Sequence, residues 1–282
     1  MTLNELYISS VSKLEKIDNS STEARIILKK AMSFTETDFL LNKNRILTDE
    51  EVTAAESMIN RRLSGVPVQY IIGEWDFFGK TFKVNENVLI PRPETELLCE
   101  YVIDYLKDKS SPVVADLCAG SGCIGITVKD NIASACVYMV EKSSEAYKVC
   151  CENAESILGD KSTTVINGDI FCIDKLGDLP LFDVIISNPP YIKSAEIPDL
   201  QSEVLLEPEM ALDGGEDGLD FYRLIAEKWT DYLADDGMFA FECGEEQAEE
   251  IKVILEKKNF SVIFVKDYSD VDRFVIGKRR KI

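Results

Sequence analysis

The sequence predicts an α/β protein with a doubly wound, mostly parallel sheet of seven strands, preceded by a small bundle of helices. Two patterns predict this fold. Apolar residues recur every three to five positions within the first 64 residues, which is typical of amphipathic helices. Beyond residue 110, seven short apolar runs alternate with helical segments. This alternation indicates parallel strands joined by crossover helices that cover both faces of the sheet.

The helical bundle is predicted to form an N-terminal domain of residues 1–65. Leu3, Leu6 and Leu14 fall on one face of a first helix, and a second helix is predicted over 23–32. A third helix should begin after Thr48 as its N-cap, with Glu51 completing a capping box.

Residues 66–90 are predicted to form a β-hairpin that joins this domain to the second one. They include QYIIGEWDFFGKTFKVNENVLI, a segment rich in aromatic and β-branched residues with turn residues at Gly79-Lys80. The second domain is predicted to span residues 91–282. The last two strands are too close for a crossover helix, so the final strand should run antiparallel. The seven predicted strands are 113–117, 136–140, 163–167, 182–187, 238–243, 261–265 and 273–277.

Composition excludes several kinds of site. The chain of 282 residues has no histidine, which excludes histidine triads and histidine metal sites. Its eight cysteines form no CxxC pair, so we expect reduced thiols rather than a zinc site or disulfide framework. No apolar stretch approaches the length of a membrane span, and the N-terminus lacks the layout of a signal peptide. We therefore expect a cytoplasmic protein without membrane contacts or a bound metal.

The negative charge is concentrated in the second part of the chain. Residues 1–64 hold nine Lys/Arg and ten Asp/Glu, so −19 of the net charge of −20 falls on the remainder. Such an acidic domain repels phosphate backbones, which argues against a nucleic-acid partner.

A glycine-rich stretch follows the first predicted strand of the sheet. Asp116 to Gly125 reads DLCAGSGCIG, in which Gly120, Gly122 and Gly125 match the spacing of a dinucleotide-binding loop. Ligands bind at the carboxyl ends of strands in such sheets, and glycines let the backbone approach a ligand closely. This pattern alone is a weak signal, because a plain tight turn explains many such matches.

The next two strands also end on acidic residues. Glu141 ends the second predicted strand, where a carboxylate can accept hydrogen bonds from ribose hydroxyls. Asp169 follows the third, where it can meet an adenine amino group while Ile170 and Phe171 form apolar walls. Together with the glycine loop, these residues favour an adenosine-type ligand, with both NAD and S-adenosylmethionine open at this point.

The sequence NPPY, residues 188–191, favours S-adenosylmethionine over NAD as the ligand. Hydride transfer needs a proton-handling group, often a histidine, and the chain has none. Asn188 offers a side-chain oxygen and Pro189 a backbone oxygen, which together can hold an NH2 group and aim its nitrogen. The two prolines fix the corner, and Tyr191 can form an aromatic wall for a flat acceptor. The motif favours methyl transfer to an amide or exocyclic amine, with the proton lost to water and no sharp pKa near neutrality in the rate.

Five stretches of the sequence form a recognisable set: VLIPRPETELL, DLCAGSG, NPPY, EPEMALDGGEDGLDFYR and DVDRFVIG. Together they resemble the release factor glutamine methyltransferases, the PrmC/HemK family of class I S-adenosylmethionine-dependent enzymes. The resemblance covers the chain from about Gly65 onward, and the helical N-terminal part fits the family's architecture. It implies a Rossmann-like domain that methylates the side-chain amide (N5) of the glutamine in the Gly-Gly-Gln motif of class 1 peptide chain release factors, yielding S-adenosylhomocysteine.

The resemblance also implies roles for individual residues. The glycine loop would line the methionine and ribose end of the cofactor, Glu141 would hold the ribose hydroxyls, and Asp169 with Ile170 would flank adenine. The candidate catalytic and substrate-binding residues are Asn188, Pro189, Pro190 and Tyr191. The candidate cofactor-binding residues are Asp116, Cys118, Ala119, Gly120, Ser121, Gly122, Glu141, Asp169, Ile170 and Asn188.

Two residues depart from the family pattern. Cys118 stands where these loops usually have glycine, and a cysteine is small enough there provided that its φ angle is negative. Glu141 replaces the commoner aspartate and is longer by one methylene.

Other functions share parts of this pattern. NPPY also occurs in ribosomal-protein glutamine methyltransferases and in adenine-N6 DNA methyltransferases, although an acidic domain opposes DNA. A module that binds an adenosine ligand or tethers a release factor without chemistry is a further alternative. The resemblance favours a release factor as partner, whose glutamine-bearing domain should be basic and attracted to an acidic enzyme. The helical domain would recognise that substrate, and a monomer is expected.

Overall fold

The computed structural model of the protein describes residues 1–159 and 163–280. The chain forms two compact units, one of Met1–Glu74 with Gln201–Leu206 and one of Trp75–Leu200 with Glu207–Ile282. The predicted second domain, 91–282, includes residues 160–162 and 281–282, which lie outside the described residues.

The first unit is helical. Thr48 caps α4 by accepting from Glu51 N at 3.2 Å, while Glu51 Oε2 accepts from Thr48 N at 2.9 Å. The capping box predicted for this pair is therefore confirmed. A small apolar core that includes Leu3, Leu28 and Phe39 lies between the helices. The helices are α1 (Leu3–Lys13), α2 (Ser20–Met32), α3 (Glu36–Leu41), α4 (Asp49–Leu63) and α5 (Val68–Ile72).

A buried arginine in α4 ties parts of this unit together. The Arg62 side chain is only 3% exposed and pairs with Glu23 of α2 through two hydrogen bonds, of 2.5 and 3.2 Å. It also pairs with Glu203 of the segment 201–206 at 2.6 Å. Burial alone would lower the pKa of Arg62, but the hydrogen bonds that it donates to both carboxylates outweigh this effect and the pKa is raised. The guanidinium therefore stays charged and depends on these partners.

Glu23→Gln should weaken the first unit by about 2 kcal/mol, because it leaves a buried guanidinium with one charged partner fewer. Faster hydrogen exchange in peptides of α2 and α4 would report the loss. The matched control is Glu36→Gln, which removes an exposed carboxylate paired with Arg25 and Lys29 and should leave exchange unchanged. Equal exchange in both variants would contradict a structural role for the buried pair.

The predicted hairpin over 66–90 is shorter than expected. Its strands are β1 (Glu74–Phe77) and β2 (Lys80–Lys83), joined through Gly79, which has a φ of 72°. Val68–Ile72 is the helix α5 instead, flanked by Pro67 before it and by Gly73 in the left-handed conformation after it. Proline favours the start of a helix, and glycine favours its end. These two residues therefore favour a helix despite the β propensity of the apolar residues between them.

The second unit contains a seven-stranded sheet, which confirms the predicted fold class. Its strand order is β5-β4-β3-β6-β7-β9-β8, with β9 antiparallel to both neighbours and the other described pairs parallel. The predicted direction of the final strand is therefore correct. The strands are β3 (Val113–Leu117), β4 (Cys136–Glu141), β5 (Thr164–Asn167), β6 (Phe182–Ser187), β7 (Leu233–Glu242), β8 (Phe260–Lys266) and β9 (Asp272–Arg279).

Helices cover both faces of this sheet. In β6, Val184 and Ile186 belong to one apolar cluster and Ile185 to the other, as the two-residue period of a strand requires. The first cluster includes apolar residues of α6, α7 and α8, and the second includes those of α9 and α10. These helices are α6 (Thr95–Leu106), α7 (Cys123–Asn131), α8 (Ser144–Leu158), α9 (Asp220–Leu224) and α10 (Ala248–Glu256).

The strand order reverses between β3 and β6. From β3 the chain adds β4 and β5 on one side, and then returns to add β6 and β7 on the other. Ligands bind at such a switch point, beyond the carboxyl ends of the parallel strands. Leu117 of β3 pairs with Ser187 of β6, and Glu141 of β4 pairs with Asn167 of β5, so these four strands end at one edge.

Candidate active site

The glycine loop begins where β3 ends. Gly120 and Gly122 have φ angles of 56° and 80°, a conformation that glycine adopts without strain. At Gly122 a Cβ atom would lie 2.7 Å from the Cys150 sulfur, so the loop also packs closely on α8. A Cβ atom at Gly120 would meet no atom within 4 Å. The space next to the loop backbone at Gly120 is therefore free for a ligand to approach.

Cys118 adopts a conformation that the sequence did not predict. Its φ angle is 63°, in the left-handed region, so the negative angle that a cysteine would need for an unstrained fit is absent. A non-glycine residue in this region carries a steric strain of about 1 kcal/mol. The residue is held there because the loop on either side is fixed: Ala119 N donates to Val140 O at 3.1 Å.

Replacing Cys118 by glycine should give a protein about 1 kcal/mol more stable than replacing it by alanine. Both variants lose the thiol, so their difference in free energy of unfolding reports the left-handed strain less the larger unfolded-state entropy of glycine. Urea unfolding followed by tryptophan fluorescence would give the two values. An alanine variant as stable as the glycine variant would contradict the positive φ angle at this position.

Asp116 fixes the junction between β3 and α7. Its Oδ2 accepts from Gly125 N at 2.8 Å, while its buried Oδ1 has no hydrogen-bond partner among the described residues. Burial raises the pKa of Asp116 to about 7, against the opposing effect of the Gly125 hydrogen bond, and the Glu141 charge raises it further. The side chain thus stabilises the turn from within the fold.

Glu141 ends β4 with its carboxylate buried against the glycine loop. Its Oε2 accepts from Gly120 N at 2.8 Å and its Oε1 from Ser143 N at 2.7 Å. Burial raises the pKa of Glu141, partly opposed by the backbone hydrogen bonds from Ser143, Gly120 and Lys142. A carboxylate has about four acceptor positions, so at least one is left for a hydroxyl group of a ligand.

The segment after β5 adds an acid and an aromatic pair. Asp169 Oδ2 pairs with Lys142 Nζ at 2.9 Å, and its Oδ1 accepts from Phe171 N at 2.9 Å. Burial alone would raise the pKa of Asp169, but the hydrogen bonds from Lys142 and Phe171 N lower it below its usual value. The Phe171 ring meets the Phe221 ring edge-on at 5.3 Å, and Ile170 is buried. The carboxylate therefore stays ionised beside apolar walls.

NPPY forms the corner that follows β6. Ser187 Oγ donates to Leu117 O at 2.5 Å, which fixes the end of β6 against β3. Beyond it, neither Asn188 Oδ1 nor Pro189 O has a hydrogen-bond partner among the described residues. Tyr191 packs against the core, and burial raises the pKa of its hydroxyl to about 12. The corner thus carries two acceptor oxygens that the fold itself does not use.

The DGGEDGLD stretch supports this corner from behind. Gly214 N donates to Ile192 O at 2.8 Å, and a Cβ atom at Gly214 would lie 2.7 Å from Tyr191 Cα. A Cβ atom at Gly218, which has a φ of 76°, would lie 2.3 Å from Tyr191 O. Gln247 Nε2 donates to that same Tyr191 oxygen at 2.9 Å. These contacts fix the backbone of the corner and explain the glycines of this stretch.

Two buried carboxylates contact the PRPETE stretch, residues 91–96. Thr95 Oγ1 donates to Glu242 Oε2 at 2.6 Å, and Asn188 Nδ2 lies 3.5 Å from the same hydroxyl. Burial raises the pKa of Glu242 to about 7, against the hydrogen bond from Thr95 and the charge of Arg273. Glu207 accepts from Ile90 N at 3.0 Å and pairs with Arg92. Sequence reasoning had assigned no contacts to Arg92 and had not singled out Thr95, Glu207 or Glu242.

A cavity joins these elements at the carboxyl edge of the sheet. It has about 750 Å³ of empty space, part of it open to solvent, and its lining is mostly apolar. Of the predicted site residues, Asp116, Ala119, Ser121, Gly122, Pro189 and Tyr191 do not line it. The predicted site residues that line the cavity are Cys118, Gly120, Glu141, Asp169, Ile170, Asn188 and Pro190.

The chain was compared with known families and proteins. Residues 5–73 match the PrmC N-terminal domain and residues 95–216 match the methyltransferase small domain. The release factor glutamine methyltransferase of Thermodesulfovibrio yellowstonii is 39% identical over 246 residues, which cover 86% of this chain and 87% of that protein. The one of Aquifex aeolicus is 34% identical over 98% of this chain and 97% of that protein. This chain belongs to the release factor glutamine methyltransferase family. The resemblance seen in the sequence is thereby confirmed.

A solved structure has a fold similar to that of this chain. A methyltransferase from Pyrococcus furiosus aligns with a TM-score of 0.55 and 19% identity, over 79% of this chain and all of that one. Among residues 1–159 and 163–280, no helix is long and apolar enough to cross a bilayer, and no cluster of acidic and cysteine side chains could hold a metal ion.

Proposed function

We propose that the protein transfers a methyl group from S-adenosylmethionine to the side-chain amide nitrogen of the glutamine in the Gly-Gly-Gln motif of class 1 peptide chain release factors. Family membership supports this proposal, since relatives at 34–39% identity carry that name. The observation that carries it in the structure is the pair of unused acceptors, Asn188 Oδ1 and Pro189 O, beside a cavity with a glycine loop and a buried acid.

The residues around the cavity fit S-adenosylmethionine. The carboxylate of Glu141 can accept further hydrogen bonds beyond those from the backbone, which suits the hydroxyls of a ribose. At this position Glu141 Oε2 reaches the glycine loop through Gly120 N, while Oε1 accepts from Ser143 N at the start of α8. Ile170 and Phe171 offer apolar contact for an adenine ring, and Asp169 offers it an acceptor.

When bound, S-adenosylmethionine supplies an electrophilic methyl group on a sulfonium and leaves as S-adenosylhomocysteine. The two acceptors of the NPPY corner hold the two N–H bonds of the substrate carboxamide, which turns the nitrogen lone pair toward that methyl group. A new N–C bond forms as the C–S bond breaks, and the nitrogen then loses one proton to water. Pro189 and Pro190 keep the corner rigid, so little reorganisation is needed as the charge moves.

The remaining expectations belong to this proposal. The −19 charge outside residues 1–64 would attract the basic glutamine-bearing domain of a release factor and repel DNA, which disfavours an adenine-N6 activity. The helical unit, residues 1–65, would recognise the release factor. We place the protein in the cytoplasm, where release factors act, and expect it to work as a monomer without direct nucleic-acid contact.

Mass spectrometry tests the proposal directly. A class 1 release factor is incubated with the protein and S-adenosylmethionine, and the Gly-Gly-Gln peptide is then analysed. We expect a gain of one methyl mass, localised to the glutamine. No gain on this peptide with cofactor demonstrably bound would favour a binding module, and a gain on a ribosomal protein instead would favour the other glutamine methyltransferases.

A further inference from the structure

We propose that Thr95 and Glu242 form a polar relay that fixes which way the Asn188 carboxamide faces, so both are positioning residues for methyl transfer. This inference rests on the proposed function and extends it to two side chains outside the NPPY motif. The two residues come from the start of α6 and the end of β7, far from Asn188 in the sequence and buried beside it in the fold.

The relay follows from the number of protons available. A threonine hydroxyl has one proton, and Thr95 uses it in a 2.6 Å hydrogen bond to Glu242 Oε2. An ionised carboxylate can only accept, so this polarity is forced. The Thr95 oxygen can then only accept from Asn188, which lies 3.5 Å away through Nδ2. The amide NH2 of Asn188 is therefore held on the Thr95 side, and its Oδ1 is left for the substrate.

The opposite orientation would disable the corner. If Asn188 turned over, its NH2 group would replace the acceptor oxygen that the substrate carboxamide needs. Two donors would then face each other, and one N–H bond of the substrate would lose its partner. A neighbour with a fixed acceptor role, as Thr95 has here, therefore decides which way the amide faces.

Protonation of Glu242 would remove the constraint on the direction of these hydrogen bonds. A protonated carboxyl can donate to Thr95, whose hydroxyl is then free to donate to Asn188 Oδ1. The pKa of Glu242 is raised to about 7 by burial, so the carboxylate form is complete only above that pH. Titratable or charged groups face Glu242 from every side. They are Arg92 and Glu94 before α6, Cys99 in α6, Cys123 in α7, Tyr191 after β6, Tyr222 in α9, Cys243 after β7 and Arg273 in β9.

Kinetic measurements at saturating S-adenosylmethionine test the relay. Thr95→Val replaces the hydroxyl by a methyl group of similar shape and should lower kcat roughly 10- to 100-fold, with the KM for release factor changed less than about threefold. Thr95→Ser keeps the hydroxyl and should restore kcat to within about threefold of the parent. Thr127→Val is the matched control, because it removes a buried threonine hydroxyl that has no hydrogen-bond partner among the described residues. Parent-like kcat in Thr95→Val, or equal losses in the valine and serine variants, would overturn the relay.

The pH profile provides a readout that a merely structural role would not move. The kcat of the parent should rise as the pH passes upward through about 7, since ionised Glu242 enforces the polarity. Glu242→Gln introduces a carboxamide that can either accept from Thr95 or donate to it, so its kcat should be below that of the parent at high pH and flat over this range. The Asp116 carboxyl also has a pKa of about 7, but its contacts are in the glycine loop and it remains in both proteins. A step of unchanged size in Glu242→Gln would contradict the assignment.

A measurement without turnover separates this inference from the proposed function. The side-chain NH2 signals of Asn188 in a ¹⁵N NMR spectrum, assigned by their loss in Asn188→Ala, should shift with pH through about 7 in the parent. They should not shift in Thr95→Val or Glu242→Gln. An invariant Asn188 signal in the parent would overturn the relay even if methyl transfer is observed. A titrating signal without any methyl transfer would retain the relay and reject the function.

Discussion

Asn188→Ala is expected to lower kcat for glutamine methylation by about 10²- to 10³-fold, which is the loss typical when one preorganised polar contact to the reacting group is removed. Asn188 Oδ1 and Pro189 O are the two acceptors at the corner that we assign to the substrate amide, and Pro189 O alone would leave the amide free to rotate. The dissociation constant for S-adenosylmethionine should change by less than about fivefold, because Glu141, Asp169 and the glycine loop remain. Single-turnover kinetics and calorimetry give the two quantities.

The matched control for this variant is Asn131→Ala. Asn131 ends α7, where its side chain donates to Thr127 O at 2.9 Å, and it does not line the cavity. We expect it to retain the kcat of the parent. If Asn188→Ala kept near-normal turnover while the cofactor remained bound, the role of the NPPY corner in holding the carboxamide would be wrong.

Gly218→Ala is expected to lower kcat by about 10²-fold, because a misplacement of about 1 Å at a reacting group has this effect. The new Cβ atom would lie 2.3 Å from Tyr191 O and 2.5 Å from Gln247 Nε2. Either the corner or Gln247 must move, and the hydrogen bond between them is lost. The variant changes no atom that contacts substrate, so a loss of rate would show that the support of the corner matters.

The control for Gly218→Ala is an alanine at Gly79. The two glycines have nearly the same φ angles, 76° and 72°, so both substitutions bring the same left-handed strain. At Gly79 a Cβ atom would meet nothing within 4 Å. Gly79→Ala should therefore lose about 1 kcal/mol of stability and keep its kcat. Similar losses of kcat in both variants would attribute the effect to general destabilisation instead of to displacement of Tyr191.

The strands were the most predictable part of the fold. Predicted strands 113–117 and 182–187 coincide with β3 and β6, because a strand buried on both faces is a short continuous run of apolar residues. Helix α5 was missed, since its apolar residues between Pro67 and Gly73 have the composition of a strand and only the flanking residues indicate a helix. In such a short segment the apolar composition favours a strand and the flanking residues favour a helix. The sequence alone does not show which preference prevails.

The candidate site was predictable where its residues are contiguous. The glycine loop, Glu141, Asp169 and NPPY each follow a predicted strand, so the rule for parallel sheets places them at one edge. Thr95 and Glu242 meet across 147 residues, and Arg92 and Glu207 across 115. No local pattern reports such pairs, although Glu242 is the second-last residue of the predicted strand 238–243 and could have been included on that ground.

The inferred relay leads to a different expectation for the pH dependence of the rate. With no histidine in the chain, the sequence predicted no sharp pKa near neutrality in the rate, and this stays a prediction. Burial raises the pKa of Glu242 and of Asp116 to about 7, and the burial of a carboxylate is not visible in the sequence. If the relay operates, a titration near neutrality would report the ionisation of Glu242, and the amide proton would still be lost to water.

A crystal structure of the protein with S-adenosylhomocysteine and a release factor bound would show whether the NPPY corner holds the substrate carboxamide. We expect the target glutamine to enter the cavity with its amide nitrogen about 3 Å from both Asn188 Oδ1 and Pro189 O and its free face toward the sulfur. A glutamine bound elsewhere, or a corner with those two oxygens turned away from it, would contradict this role of the NPPY corner.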